Sequence, residues 1–323
     1  PTPEPTPEPE PVVRIGDSPD IVRGAVQTSQ AVFPEAGSAT LALLARDDAF
    51  ADSLAGSALA RELGPILYTT GGPDGGLRSE TARELQRVLA PGSTVTVLGG
   101  PAAVSDGALQ QVRALGFAVR RLAGASRVET ALAVADAVTS HPDRVLLANG
   151  WNWADAVTGG AYAAAERIPV LVTPSGGLAD PVAGYLAAHR PRVLLLGGRV
   201  ALSDAVAQAV GPDATRVAGA TRAGTAVEIA RQLWGRSVAT ADDVWVLEDG
   251  YAGDSWAPAL AAAALSASHG APQLLVQGST MPPETEGYLR ELGYEPEAPG
   301  TAFLVGPLVD SSLIDVVEGL LGQ

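Results

Sequence analysis

A chain of 323 residues that is 46% apolar has material for a large core and for two or three domains. Its net charge of −15, on a chain whose basic residues are all Arg, argues against nucleic-acid binding, which needs a basic stripe. With no Cys there is no disulfide framework and no Cys-based zinc site, and no apolar run approaches the roughly 20 residues of a membrane span.

Residues 1–11, PTPEPTPEPEP, read as an extended, semi-rigid spacer, because Pro fixes φ and the acidic residues repel. The chain begins at Pro1 without an initiator Met, as a mature or trimmed fragment would. A first unit follows over 12–120. Its predicted strands are 12–15, 40–45, 65–68 and 95–98, the last ending in Gly99 and Gly100. Its predicted helices cover 21–32, 51–63 and 79–89, with a fourth capped by Ser105 and Asp106.

The second unit, 121–215, repeats this grammar. Strands fall at 121–123, 145–148, 169–173 and 193–196, and helices at 127–138, 154–167 and 180–188. Ser203 and Asp204 cap another. The third unit, 216–323, has strands at 216–218, 244–247, 273–276 and 302–305, with helices at 224–234, 257–268, 283–292 and 311–321. Strands that alternate with helices make each unit a parallel α/β layer.

The registers repeat. Phe50, Trp153 and Trp256 are 103 and 103 residues apart, and Pro65, Pro169 and Pro272 are 104 and 103. Gly99, Gly197 and Gly306 are 98 and 109 apart. The lead motif RLAGASRVETALAVAD at 121–136 recurs as RVAGATRAGTAVEIAR at 216–231, and more faintly from Arg14. A period of about 100 residues places one ancestral unit in three copies.

These residues resemble the cell-wall-binding repeat 2 family. Its pattern is an R-I-A-G-x-x-R-x-x-T-A lead motif, a loop N-F-P-D-A-L, a strand opening P-I-L-L, and a strand ending G-G with S-D soon after. The second unit matches with RLAGASRVETA, NWADAV, PVLV and LLLGGRVALSD, and the third with RVAGATRAGTA, SWAPAL, PQLL and FLVGPLVDSS. The first matches with RIG, AFADSL, PILY and VLGGPAAVSD. The resemblance implies three tandem Rossmann-like units packed as a pseudo-threefold triangle within one monomer. It also implies an exported, non-catalytic anchor of Gram-positive bacteria, which ties a partner module to a teichoic-acid-like or other anionic wall polysaccharide. An S-layer-like structural or protein-binding module is the alternative role. The sequence departs from the pattern at Ile21 and Gly24, where the family has Arg and Thr, at Gly224, and at Pro258, where the loop has Asp.

Candidate binding residues follow from recurrence. Arg127 with Glu129 and Thr130, and Arg222 with Thr225, stand at the first turn of a helix. There an Arg fork and the helix N-terminus both favour a phosphate or carboxylate. The alternative is an Arg–Glu pair and a helix-start Thr that lock one unit to the next. Asp52 and Asp155 follow a strand's C-terminal end, where open α/β sheets bind ligands; they also suit the first-turn preference for acids. Trp151, Trp153 and Tyr251 offer sugar-stacking surfaces, or, for Trp153 with Phe50 and Trp256, a plug between units. His141, His189 and His269 lack ligand spacing, so no metal site is expected. No G-x-G-x-x-G follows a unit's first strand and no G-x-x-x-x-G-K-[ST] occurs, so no nucleotide or other cofactor is expected.

Overall fold

In each sheet three short apolar runs become largely buried parallel strands, and a lead strand adds a fourth, more exposed one at the edge. The computed structural model describes residues 12–60, 64–240 and 243–322; the expected 1–11 spacer lies outside them. The chain opens with β1 (Val12–Ile15). The first sheet has β2 (Ala39–Arg46), β3 (Ile66–Thr69), β4 (Leu89–Leu98) and β5 (Ala118–Leu122), in the order β3-β2-β4-β5. The second has β6 (Arg144–Asn149), β7 (Val170–Thr173), β8 (Arg192–Leu196) and β9 (Thr215–Val217), in the order β7-β6-β8-β9. The third has β10 (Val244–Asp249), β11 (Gln273–Val276) and β12 (Thr301–Val305), in the order β11-β10-β12-β1. Every pairing between these strands is parallel. The result is three tandem Rossmann-like units.

The lead strands leave their own repeats. β5 and β9 open the second and third copies of the lead motif, yet they pair with β4 and β8 of the repeats before. β1 opens the first repeat and pairs with the last, Val12 opposite Ala302 and Ile15 opposite Val305. This corrects the expectation that 12–15 belongs with the first unit's strands. A sheet edge is a row of unpaired backbone groups. The free edge of β12 is covered by the one lead strand that has no preceding repeat.

The lead helices Ile21–Val32, Arg127–Val138 and Arg222–Gln232 pack in the same circle. The second lies against the 3-10 helix Ala55–Leu59, the third against the helix Ala154–Glu166, and the first against the helices Trp256–Ala261 and Ala263–His269. The third starts at Arg222 rather than at the expected 224, because the Thr221 hydroxyl accepts the Gly224 amide at 3.0 Å and caps it there.

Two expected central helices come out differently. Of the expected 51–63 helix, the described residues 51–60 form only the 3-10 helix Ala55–Leu59, and residues 61–63 lie outside the described set. Ser53 and Ser57 donate their hydroxyls to the Phe50 and Leu54 carbonyls at 3.0 and 2.9 Å, competing with the α-helical ladder. Over 257–268 the helix breaks at Ala262. Gln273 Nε2 donates to the Ala259 carbonyl at 3.0 Å, the acceptor that the Ala263 amide would otherwise use.

The central helices are rich in Ala and Gly because they meet closely. A Cβ on Gly160 would run into Ser57 Oγ of the preceding unit. One apolar cluster accordingly runs through the first two units and into the third unit's central helices, from Leu43 and Tyr68 through Leu146 to Trp256 and Leu260. Among the described residues no helix is long and apolar enough to cross a membrane.

Candidate functional site

Lead helices and strand ends meet at three junctions, one between each repeat and the next. At the first junction Arg127 begins the second lead helix. Its Nη1 donates to the Gly150 carbonyl at 2.6 Å, and its guanidinium lies 4.8 Å from the Trp151 ring centre and 6.0 Å from that of Phe50. One side chain thus joins a loop of its own repeat to an aromatic of the repeat before. At the second junction Arg222 does the same. Its Nη1 donates to the Gly250 carbonyl at 2.5 Å, with ring centres at 5.1 Å for Tyr251 and 6.0 Å for Trp153. Such cation–π contacts are worth about 0.5–1 kcal/mol where exposed. No other hydrogen bond engages either guanidinium among the described residues, so donors of both forks remain for an anion.

The aromatic candidates divide. Trp151 is 52% exposed and Tyr251 half-buried, while Trp153 and Trp256 are 8% and 3% exposed. Both rings sit at the tip of an Asx turn: Trp151 and Tyr251 donate their amides to Asn149 and Asp249 side chains, each at 2.8 Å. Trp256 packs edge-on against Tyr68 and Phe50, at 5.5 and 6.3 Å between centres. Trp153 therefore belongs to the core beneath Arg222, and Trp151 with Tyr251 to the surface.

Three other candidates serve the backbone. Thr130 and Thr225 are 1% and 2% exposed, and their hydroxyls accept the Gly124 and Gly219 amides, each at 3.2 Å, fixing the turns between lead strand and lead helix. Glu129 does not pair with Arg127. It bonds the Ser126 hydroxyl, which also accepts the Val128 amide at 3.1 Å, so the pair closes the helix start in the manner of a capping box. The Ser126 bond holds the Glu129 carboxyl below the usual carboxylate range.

Asp52 and Asp155 sit under the Gly turns that end β4 and β8. A Cβ on Gly99 would stand 2.7 Å from Asp52 Oδ2, and one on Gly197 would collide with Asp155; both glycines also hold φ near +90°, at 92° and 95°. Pro258 takes that place beside Gly306. Burial pushes the Asp155 carboxyl up to about 6, against the opposing Thr225 hydroxyl bond and Arg222 charge. Asp155 lies in a cleft of about 440 Å³ whose walls include Asn152, Arg199, Thr221 and Arg222. Asn152 opens the NWADAV loop motif, although Ala49 and Ser255 stand there in the other copies, and Arg199 carries no repeat signal, because Pro101 and Leu308 stand at its place.

A second set of arginines is structural. Arg121 Nη1 and Arg216 Nη1 donate to the Gly99 and Gly197 carbonyls at 2.7 and 2.8 Å, and Arg14 Nη2 donates to the Val309 carbonyl at 2.8 Å. Each clasps the loop after the preceding sheet's third-strand position. As letters they recur in all three copies and Arg127 and Arg222 in two; their partners show what each set does.

The sequence profile of the family described as Cell wall binding domain 2 (CWB2) matches residues 19–109, 121–207 and 216–307. The chain belongs to the cell wall binding domain 2 family. CWB2 membership makes it a module of the wall-binding kind. Among curated proteins it is similar to the N-acetylmuramoyl-L-alanine amidase LytC of Bacillus subtilis (strain 168), 29% identical over 211 residues, covering 65% of this chain and 40% of LytC. It is also similar to the Amidase enhancer of the same organism, 26% identical over 278 residues, covering 84% of this chain and 36% of that protein. The chain thus spans about two fifths of these relatives. Cwp8 from Clostridium difficile superposes with a TM-score of 0.82 at 25% identity, covering 97% of this chain and 52% of Cwp8. Cwp6 from the same organism gives 0.82 at 21%, covering 97% and 48%.

Proposed function

We propose that this CWB2 triplet is a non-catalytic anchor that binds an anionic envelope glycopolymer, teichoic-acid-like or related, and holds a secreted protein on a Gram-positive surface. The observation that carries this reading is the repeated Arg-and-aromatic pair, Arg127 with Trp151 and Arg222 with Tyr251, at two successive junctions. A sugar ring stacks on the outer face of Trp151 or Tyr251 while the spare guanidinium donors take a phosphate or carboxylate. In this reading the working form is a monomer of three duplicated units, 12–120, 121–215 and 216–323, in pseudo-threefold arrangement, and the partner module is supplied by another stretch of protein.

The test is sedimentation with purified walls, native and chemically stripped of glycopolymer. Binding should vanish on stripping and fall as salt rises. Arg127→Ala with Arg222→Ala should weaken it by about tenfold or more, at roughly 1 kcal/mol per lost charged contact. Unchanged binding by the folded double variant removes these residues from the site. A second reading, a structural or protein-holding surface module, is favoured by the net charge of −15 and by the tie of both arginines to backbone carbonyls. Full binding to stripped walls would select it. Peptidoglycan zymography checks the absence of hydrolysis.

A further inference from the structure

The third junction has the same place in the circle as the other two and opposite chemistry. Ile21 stands where Arg127 and Arg222 stand, Gly24 replaces the buried Thr, and the Pro258 ring replaces the carboxylate. These exchanges meet in one pocket of about 230 Å³, walled by Ile21, Ala25, Pro258 and Leu308, with Ser18 and Asp254 among its polar groups. Its Pro258 ring presses on the turn, 3.0 Å from where a Cβ on Gly306 would be. Leu308 is 44% exposed and its side chain is available at the surface. Asp254, which is exposed, is the single charged residue of the lining, and no cation lines it.

This pocket therefore repels the anion that the other two junctions attract. It fits a neutral ligand that brings a small apolar group and hydroxyl or amide donors. Its volume is below the roughly 300–1,000 Å³ of drug-sized sites and matches a ligand of about one sugar residue. We infer that the third junction is a separate subsite for an uncharged N-acetylated sugar of the envelope glycan. The acetamido methyl packs on Ile21, Pro258 and Leu308, and Asp254 accepts from a hydroxyl or the amide. The inference rests on the glycopolymer reading for its source of ligand, and its geometry stands on the pocket alone.

Saturation-transfer NMR on the full chain, with N-acetylglucosamine and glucose as probes, tests it. The acetyl methyl protons should carry the strongest saturation, and glucose should bind about tenfold more weakly, the order expected for losing one apolar group from a pocket. Pro258→Asp restores the residue that the other two repeats tolerate at this turn, and should cut the methyl signal about tenfold. Leu308→Asp, at the exposed rim, should do the same should the first variant fold poorly. Equal saturation of glucose, no methyl signal with the native chain, or an unchanged signal in the folded variants would overturn the subsite. Wall sedimentation is read beside it. Methyl saturation without wall binding would remove the anchoring role and keep the pocket; wall binding without methyl saturation would do the reverse.

Discussion

Glu248 is wholly buried in β10, and neither carboxylate oxygen has a hydrogen-bond partner among the described residues. The matching strand position in the other repeats holds Ala45 and Ala148. Burial pushes its carboxyl well above the ordinary 4.5, and the neighbouring Asp249 charge adds to the shift. A carboxyl raised in the folded state favours folding when protonated. That contribution is complete below the unfolded value and is lost as pH rises through the folded value. Across that window stability should fall by up to about 1.4 kcal/mol per pH unit from this one group. Glu248→Gln keeps the shape and removes the titration, so its urea midpoints at pH 5, 6.5 and 8 should decline less than those of the native chain. Glu248→Met, of similar size, also removes the orphaned polar atoms and should be more stable than native at pH 8, by about 1–3 kcal/mol from desolvation alone. Asp155 titrates with the same sign, but it is common to all three proteins and cancels in the comparison. Parallel pH profiles for native and Glu248→Gln would refute the reasoning, as would a Glu248→Met chain weaker than native at pH 8.

Three other outcomes follow from the geometry. Removing 12–15 uncovers the edge of β12 and the loop that Arg14 clasps, so limited proteolysis should cut the third unit, last in sequence, before the first; uniform cutting would argue against the closed circle. Gly160→Ala should cost about 1–3 kcal/mol by overpacking against Ser57, and Ser57→Gly in the same chain should recover most of it in thermal melts; no recovery would place the strain elsewhere. With the Asp155 carboxyl at about 6, lowering pH from 7.5 to 5 removes a negative charge beside Arg222, and anion capture at the second junction should tighten about fivefold, roughly 1 kcal/mol. In Asp155→Asn, wall binding measured at both pH values should no longer change through this group.

Strand–helix order, the three copies and the helices Ile21–Val32, Arg127–Val138 and Pro283–Leu292 were legible because apolar periodicity and caps are local properties of the chain. The interruptions over 51–63 and 257–268 were not, because there a side chain competes for a helix carbonyl, Ser57 in one case and Gln273 in the other. At the site, recurrence singled out Arg127 and Arg222, and the strict register that Trp153 shares with Phe50 and Trp256 set it apart from Trp151 as a plug between units. The two tryptophans stand two residues apart on one loop, and Trp151 reaches solvent while Trp153 fills the core.

Local pattern was enough to establish a parallel α/β unit in triplicate and the residues at which the copies diverge, since both depend on stretches of a few tens of residues. Three-dimensional packing alone settled that each lead strand completes its neighbour's sheet and that β1 closes on β12. Backbone edges carry no sequence label. Which edge a strand satisfies is fixed when whole units pack, and that packing also turns three similar lead motifs into two cationic junctions and one apolar one.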